Sequence, residues 1–458
     1  MDAISFGTSG WRATLDVFNA PRLRMVAQAT ADYLAEVDMA GRPVAVGYDA
    51  RATSRGFAEE VARVLAVNGH DVLMPSRDIP TPLVSHAIVT RDLAGGLVIS
   101  ASHNPPEYNG VKFFPADGSP AMPAVTDAIE GHLRRPDPKP ESEWGTIREV
   151  NFVDPHANHV LDLVSPDLEG LTVVYDPMHG SGRDVTDRLL ERAGATVITH
   201  RGDHDPEFGG TPPEPSRENL KGLVAKVRET DADIGIANDG DADRLAVVTP
   251  ERGYVDENLF FAATYDYLLE DDSGPAVRTV STTFLIDRVA EDHGESVVET
   301  AVGFKWVADA MAEHDALMGG EESGGFCIRG HVREKDGVLM GLVAATVEAA
   351  RPLDDRLDEL RERFGPIHQG KVSVDCPDEE KERVVADLES TLPSTIAERE
   401  VDTVNAVDGV KALLEDGSWL LVRPSGTEPK MRVYGEAESE SRVQTLLSAG
   451  RDLVEPLV

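Results

Sequence analysis

The 458-residue sequence predicts an α/β protein built from three related α/β units and a smaller α+β unit at the C-terminal end. Three observations predict it. Apolar, strand-like runs alternate with helix-spaced ones along most of the chain. One strand–turn–helix–Gly–strand layout recurs three times. After Pro366 that layout stops and short strands dominate. The alternation also predicts mostly parallel sheets.

The first copy, RPVAVGYDARATSRGFAEEVARVLAVNGHDV, runs from a strand at Val44 to Gly47, through a Tyr48-Asp49 turn and a helix, to Gly69 and a second strand at Val72. The second, LTVVYDPMHGSGRDVTDRLLERAGATVITH, repeats this from Val173 through Tyr175-Asp176 to Gly194 and Val197. A looser third, RTVSTTFLIDRVAEDHGESVVET, runs from Val280 to Gly294 and Val297. The proline-rich stretch Arg134 to Gly145 reads as a semi-rigid spacer. Together with breaks at Pro250 to Gly253 and at Phe364-Gly365-Pro366, it divides the chain into 1–140, 141–250, 251–365 and 366–458. In the last segment the pattern predicts strands at Gly370 to Val374, Gly409 to Leu413 and Trp419 to Arg423, then a helix from Ser441 to Leu453.

Composition narrows the function. A formal net charge of −38 makes nucleic acid and anionic membrane unsuitable partners. Only 10 of the 44 basic residues are lysine, and the acidic residues are spread over the whole chain. Such one-sided charge predicts a salt-adapted, haloarchaeal protein, because molar salt screens self-repulsion. Cys327 and Cys376 lack metal-ligand spacing, the start MDAISFGTSG lacks a signal-peptide pattern, and no apolar run reaches transmembrane length. A cytoplasmic location is the expectation.

Five loops carry chemistry. In LVISASHNPPEYNGVKF a buried strand delivers Ser102 and His103 onto a loop. Neighbours on an extended chain point opposite ways, so His103 is expected to be out of reach of the Ser102 hydroxyl. In IGIANDGDADR, Asp239, Asp241 and Asp243 follow a strand at alternate positions and can converge on a hard divalent cation. A calcium EF-hand is excluded, since its required Gly and Glu positions hold Arg244 and Pro250. RPSGTEPKMR gathers three cations, two hydroxyls and a glycine on what reads as one phosphate-binding loop. GGEESGG places carboxylates and a hydroxyl where sugar hydroxyls could be read, and HVREKDG adds cations suited to an anionic ligand. FGTSGWR is glycine-rich but is no P-loop, and neither GxSxG nor GxGxxG occurs.

In this order, FGTSGWR, ASHNP, DGDADR, GEESGG and RPSGTEPKMR resemble the signatures of the α-D-phosphohexomutases, from Phe6 to Arg432. The resemblance implies three related α/β domains with mixed sheets and a C-terminal α+β domain around a central cleft. It implies that Ser102 is phosphorylated and, with Asp239, Asp241 and Asp243, holds Mg²⁺. Arg12, His103, Lys112, Arg244 and Lys335 would line the transfer site, and Glu321, Ser323 and Lys305 would contact the sugar. Arg423, Ser425, Gly426, Thr427 and Arg432 would hold the phosphate that is not reacting. The implied partners are small hexose phosphates and the implied intermediate a hexose 1,6-bisphosphate, in a monomer or homodimer.

GEESGG followed by HVREKDG is closest to phosphoglucomutases, which makes glucose 1-phosphate and glucose 6-phosphate the expected pair and glucose 1,6-bisphosphate the activator. Dual-specificity phosphomannomutases commonly carry histidine where this chain has Gly325, and phosphoglucosamine mutases usually show GTDG where it has GTSG. Those activities, and a metal-dependent sugar phosphatase, are the alternatives.

Overall fold

The computed structural model describes residues 4–426 and 428–458. Thr427, expected in the phosphate loop, lies outside the described residues. The first unit holds strands β1 (Trp11–Thr14), β2 (Val44–Tyr48), β3 (Val72–Met74), β4 (Gly95–Ile99), β5 (Tyr108–Pro115) and β6 (Ile147–Glu149) in the sheet order β1-β5-β4-β2-β3-β6, so its sheet extends past the boundary expected at residue 140, because β6 returns after the proline-rich stretch to pair with β3. Strands β2, β3, β4 and β6 run parallel, β5 pairs antiparallel with β4, and β1, antiparallel to β5, runs in the same direction as the rest.

The second unit repeats the arrangement with β7 (Thr172–Asp176), β8 (Thr196–Thr199), β9 (Ile234–Asn238), β10 (Leu245–Thr249) and β11 (Gly253–Val255), the last lying past the boundary expected at residue 250 because the Pro250–Gly253 break is a hairpin turn back onto β10. The third uses β12 (Ala276–Thr279), β13 (Val297–Thr300), β14 (Met318–Gly320) and β15 (Phe326–Ile328). In all three, counting from β2 in the first unit, the first strand lies between the second and third, all parallel, and the fourth pairs antiparallel with the third. The repeat seen in sequence is therefore a repeat of topology.

The expectation of mostly parallel sheets needs correcting at the fourth strand. Its connection to the third is only eight, six and five residues long in the three units, by the strand limits. A parallel crossover needs a dozen or more, so these segments can only close as hairpins. Those three hairpin loops, residues 100–107, 239–244 and 321–325, are the serine, carboxylate and sugar-reading loops. One structural position, used three times, delivers most of the chemistry.

The fourth unit is an antiparallel sheet of β16 (His368–Asp375), β17 (Thr395–Ile396), β18 (Arg399–Asn405), β19 (Val410–Leu414), β20 (Trp419–Pro424) and β21 (Lys430–Ala437), covered by the helix Glu440–Val454. Strand β18 escaped the sequence pattern because it is largely exposed. Strand β21 escaped because its first residues read as part of a charged loop.

The helix Gly337–Ala350 is apolar all round and buried along most of its length, and it packs in one core with helices of the first two units. Unit IV joins unit III through Lys411 Nζ on Glu299 at 2.6 Å, Val302 N on Asp408 at 3.0 Å and Phe284 N on Glu436 at 3.1 Å. No helix among the described residues is long and apolar enough to cross a membrane.

Candidate active site

The serine loop is held from beneath by Arg51. Its guanidinium pairs with Asp49 at 3.0 Å and donates to the carbonyls of Ser102, Asn104, Pro105 and Tyr108 at 2.8, 2.6, 2.6 and 3.2 Å. Ser102 itself has φ of 52°, a left-handed conformation uncommon for a non-glycine residue. The chain at this point is not extended, and the alternation argument for His103 fails: Ser102 Oγ lies 3.3 Å from His103 Nδ1. What weakens His103 as a base is charge. Arg244, then burial, pushes its pKa down to about 2.

Across the interface with unit II, the Ser102 hydroxyl donates to Asp239 Oδ2 at 2.5 Å. Gly240 lies so close that a Cβ there would stand 2.6 Å from the Ser102 carbonyl oxygen. The carboxylate loop turns at Ala242, also left-handed with φ of 52°. Asp239, Asp241 and Asp243 are all buried, with ligand oxygens within 4.8 Å of one another. Burial and the two neighbouring carboxylates raise Asp239 well above the usual range.

Lys112, on β5, donates to Asp241 and Asp243 at 2.7 Å each, and Thr81 Oγ1 to Asp241 at 2.6 Å. Even so, Asp241 Oδ1 and Asp243 Oδ1 are buried with no hydrogen-bond partner among the described residues. Two orphaned carboxylate oxygens beside a third carboxylate and a serine hydroxyl fit a hard divalent cation.

Three more cations converge there. Arg12, on β1, donates to Asn104 Oδ1 at 3.2 Å, so it stands over the serine loop. Arg244 Nε is 4.0 Å from Asp243 and is buried without a hydrogen-bond partner among the described residues. Lys335 Nζ is 3.3 Å from Asp243 and 3.1 Å from Glu334. Those carboxylates outweigh burial and raise the Lys335 pKa, which keeps it a cation. Of the HVREKDG stretch, expected to add cations for an anionic ligand, Lys335 reaches this site, while His331 faces Asp336 at 2.9 Å.

Glu321 is buried, has its pKa raised by that burial, and accepts the Gly303 N–H at 2.9 Å. That bond ties the sugar loop to the segment carrying Lys305, whose ammonium lies 5.9 Å over the Trp306 ring. Ser323 is half-buried on the same loop.

The RPSGTEPKMR stretch is a hairpin rather than a single loop: Arg423 on β20 and Arg432 on β21 are directly opposed. Like charges so placed repel unless something neutralises them. Here Asp408 holds Arg423 at 2.9 Å and Glu428 holds Arg432 at 3.2 Å. Lys381 donates to the carbonyls of Ser425 and Glu428 at 2.7 and 2.6 Å and fixes the turn. A Cβ on Gly426 would stand 3.5 Å from Thr8 Oγ1, so this hairpin meets the FGTSGWR loop of unit I.

Arg51, Thr81 and Lys381 were not singled out in the sequence. Only Arg51 left a trace there, just after the recurring Tyr-Asp turn.

The four domains of phosphoglucomutase/phosphomannomutase match in order: alpha/beta/alpha domain I over residues 3–139, domain II over 152–253, domain III over 256–364 and the C-terminal domain over 372–452. The chain belongs to this family, the α-D-phosphohexomutases, which are intramolecular phosphotransferases. It is 36% identical to a probable phosphoglucosamine mutase of Methanopyrus kandleri, over 98% of this chain and 97% of that one. It is 31% identical to a phosphoglucomutase/phosphomannomutase of Thermococcus kodakarensis, over 98% of each. The crystal structure of a putative phosphomannomutase from Thermus thermophilus superposes with a TM-score of 0.84 at 30% identity, over 99% of both chains.

Proposed function

We propose that this phosphohexomutase interconverts glucose 1-phosphate and glucose 6-phosphate through a phosphorylated Ser102 and glucose 1,6-bisphosphate. The observation that carries the mechanism is the Ser102 hydroxyl at 2.5 Å from Asp239, among buried carboxylates with unpartnered oxygens. Asp239, Asp241 and Asp243, with the Ser102 phosphate, would hold Mg²⁺, which supplies positive charge against the transferring phosphoryl group. As the phosphorus–Oγ bond of Ser102 breaks, a bond forms from phosphorus to the oxygen of the free hydroxyl of the bound hexose phosphate; that hydroxyl gives up its proton, and the departing Ser102 oxygen takes one up. The bisphosphate turns over, and its other phosphoryl group returns to Ser102.

Arg12, Lys112, Arg244 and Lys335 neutralise the equatorial oxygens during each transfer. His103, kept neutral, acts through hydrogen bonding. Arg423 and Arg432, with Ser425, Gly426 and Thr427, take the distal phosphate, which displaces Asp408 and Glu428 from the two guanidinium groups. Glu321, Ser323 and Lys305 orient the sugar.

The relatives favour a second reading, glucosamine phosphate as substrate, since the Methanopyrus kandleri protein bears that name at 36% identity. Rates measured side by side on glucose, glucosamine and mannose 1-phosphates test the choice: the proposal expects glucose to be fastest, and a faster glucosamine 1-phosphate overturns it.

We also propose that the enzyme works in a salt-rich, reducing cytoplasm. The charge of −38 and two buried, unpaired cysteines support this. Activity that falls as potassium chloride is raised toward molar levels would contradict it.

A further inference from the structure

Behind Lys335, where units I, II and III meet, four histidines crowd together. His86 comes from the helix Thr81–Thr90, His156 and His159 from the helix Val153–Val164, and His331 from the segment before the helix Gly337–Ala350. His86 and His156 are 4% and 1% exposed, and the His331 side chain is fully buried. Their rings surround Asp336, whose Oδ2 accepts from His156 Nε2 at 2.5 Å and from His331 Nε2 at 2.9 Å.

Asp336 and His331 have their far atoms held. Asp336 Oδ1 caps the helix Gly337–Ala350 through the Val338 and Leu339 N–H groups at 2.9 and 2.8 Å, and His159 Nε2 meets His331 Nδ1 at 3.1 Å. Fixing the outer atom so that the inner one is aimed is how metal ligands are oriented. His156 Nδ1 and both ring nitrogens of His86 are buried with no partner among the described residues. Two unsatisfied nitrogens in a polar pocket are costly for a structural histidine. A ligand histidine has a use for one of them.

Three imidazoles bound at about 2.0–2.1 Å to one tetrahedral ion have ring centroids roughly 5 Å apart. The observed separations are 5.4 Å for His86–His156, 5.5 Å for His156–His331 and 6.0 Å for His86–His331. The donor atoms of His156, His331 and Asp336 lie within 4.8 Å of one another. They need to part by less than about an ångström to admit an ion at bonding distance.

We propose that His156, His331 and Asp336 bind a divalent transition-metal ion, zinc in the first place, separate from the catalytic cation, with His86 turning in as the fourth ligand. Nitrogen donors with a single carboxylate select zinc over magnesium, which prefers oxygen ligands. The ion clamps three units at one point. It also braces Lys335, the residue before Asp336, and the helix whose first residue, Thr81, contacts Asp241.

Metal analysis and cobalt spectroscopy on the full-length protein test this. With magnesium in excess, Co²⁺ should add to one site per chain and give the strong visible absorption of tetrahedral coordination, and zinc should displace it. Asp239→Asn, which alters only the catalytic site, should keep the absorption, and His156→Gln and His86→Phe should each lose it. No visible absorption and no zinc retained by the wild-type chain would overturn the site. So would absorption that vanishes in Asp239→Asn and persists in His156→Gln.

Discussion

A Cβ placed on Gly325 would lie 2.2 Å from Cδ of Lys335 and 2.9 Å from its Cγ. The two residues compete for one volume, and the absence of a side chain at 325 lets the Lys335 stem pass to Asp243. Gly325→Ala should therefore push the lysine stem aside and move the ammonium off the transfer site, taking a buried counter-ion from Asp243 and Glu334. Losing one charge-stabilising group of this kind costs about 10²-fold in rate. Steady-state kinetics with a parallel thermal melt checks it: kcat/KM should fall about 10²-fold, and Tm should fall as well.

Arg51→Ala should act on the same chemistry from the other side. Four loop carbonyls lose their donor and Asp49 is left buried without its counter-ion. Breaking such a pair costs about 3–5 kcal/mol. Hydrogen exchange in the serine loop should accelerate and activity should fall with it. Arg51→Lys should rescue little, since an ammonium cannot fork to four carbonyls and a carboxylate.

The three-unit architecture was legible because each unit repeats a Tyr-Asp or related turn, and the chemical loops because each interrupts an apolar run. Other features depend on contacts that no local pattern encodes. The Ser102–His103 contact needs a left-handed serine. The grip of Arg51 spans about fifty residues of sequence, and the histidine cluster draws isolated residues from three units. The opposed Arg423 and Arg432 were hidden because the charges at the start of β21 resemble a loop.

Glu334 supplies a pH test. It is 1% exposed, and burial raises its pKa from an ordinary 4.5 to about 7 against the lowering effect of Lys335. Between those values the folded state holds a proton that the unfolded state has released. Stability from this group is thus fully present below pH 4.5 and is lost as pH rises to about 7. The shift corresponds to about 3 kcal/mol at most. Urea unfolding across that window should show the decline, and Glu334→Gln should flatten it.

Magnesium should stabilise the protein as well as activate it. The cation relieves the repulsion that raises Asp239 and satisfies the orphaned oxygens of Asp241 and Asp243. At a hundred times its Kd, a ligand specific to the folded state adds about 2.7 kcal/mol. Calorimetry should show Tm rising with magnesium in the wild type and not in Asp243→Asn, which should also be inactive.

The central claim is that Ser102 carries the phosphoryl group between the two isomers. Incubation with glucose 1,6-bisphosphate labelled in its phosphates, followed by peptide mapping and a chase with unlabelled glucose 1-phosphate, tests it directly. Label is expected on Ser102, moved by the chase into hexose bisphosphate with almost no free phosphate, and no label is expected in Ser102→Ala. Isomerisation without label on Ser102, or label released chiefly as free phosphate, would contradict it.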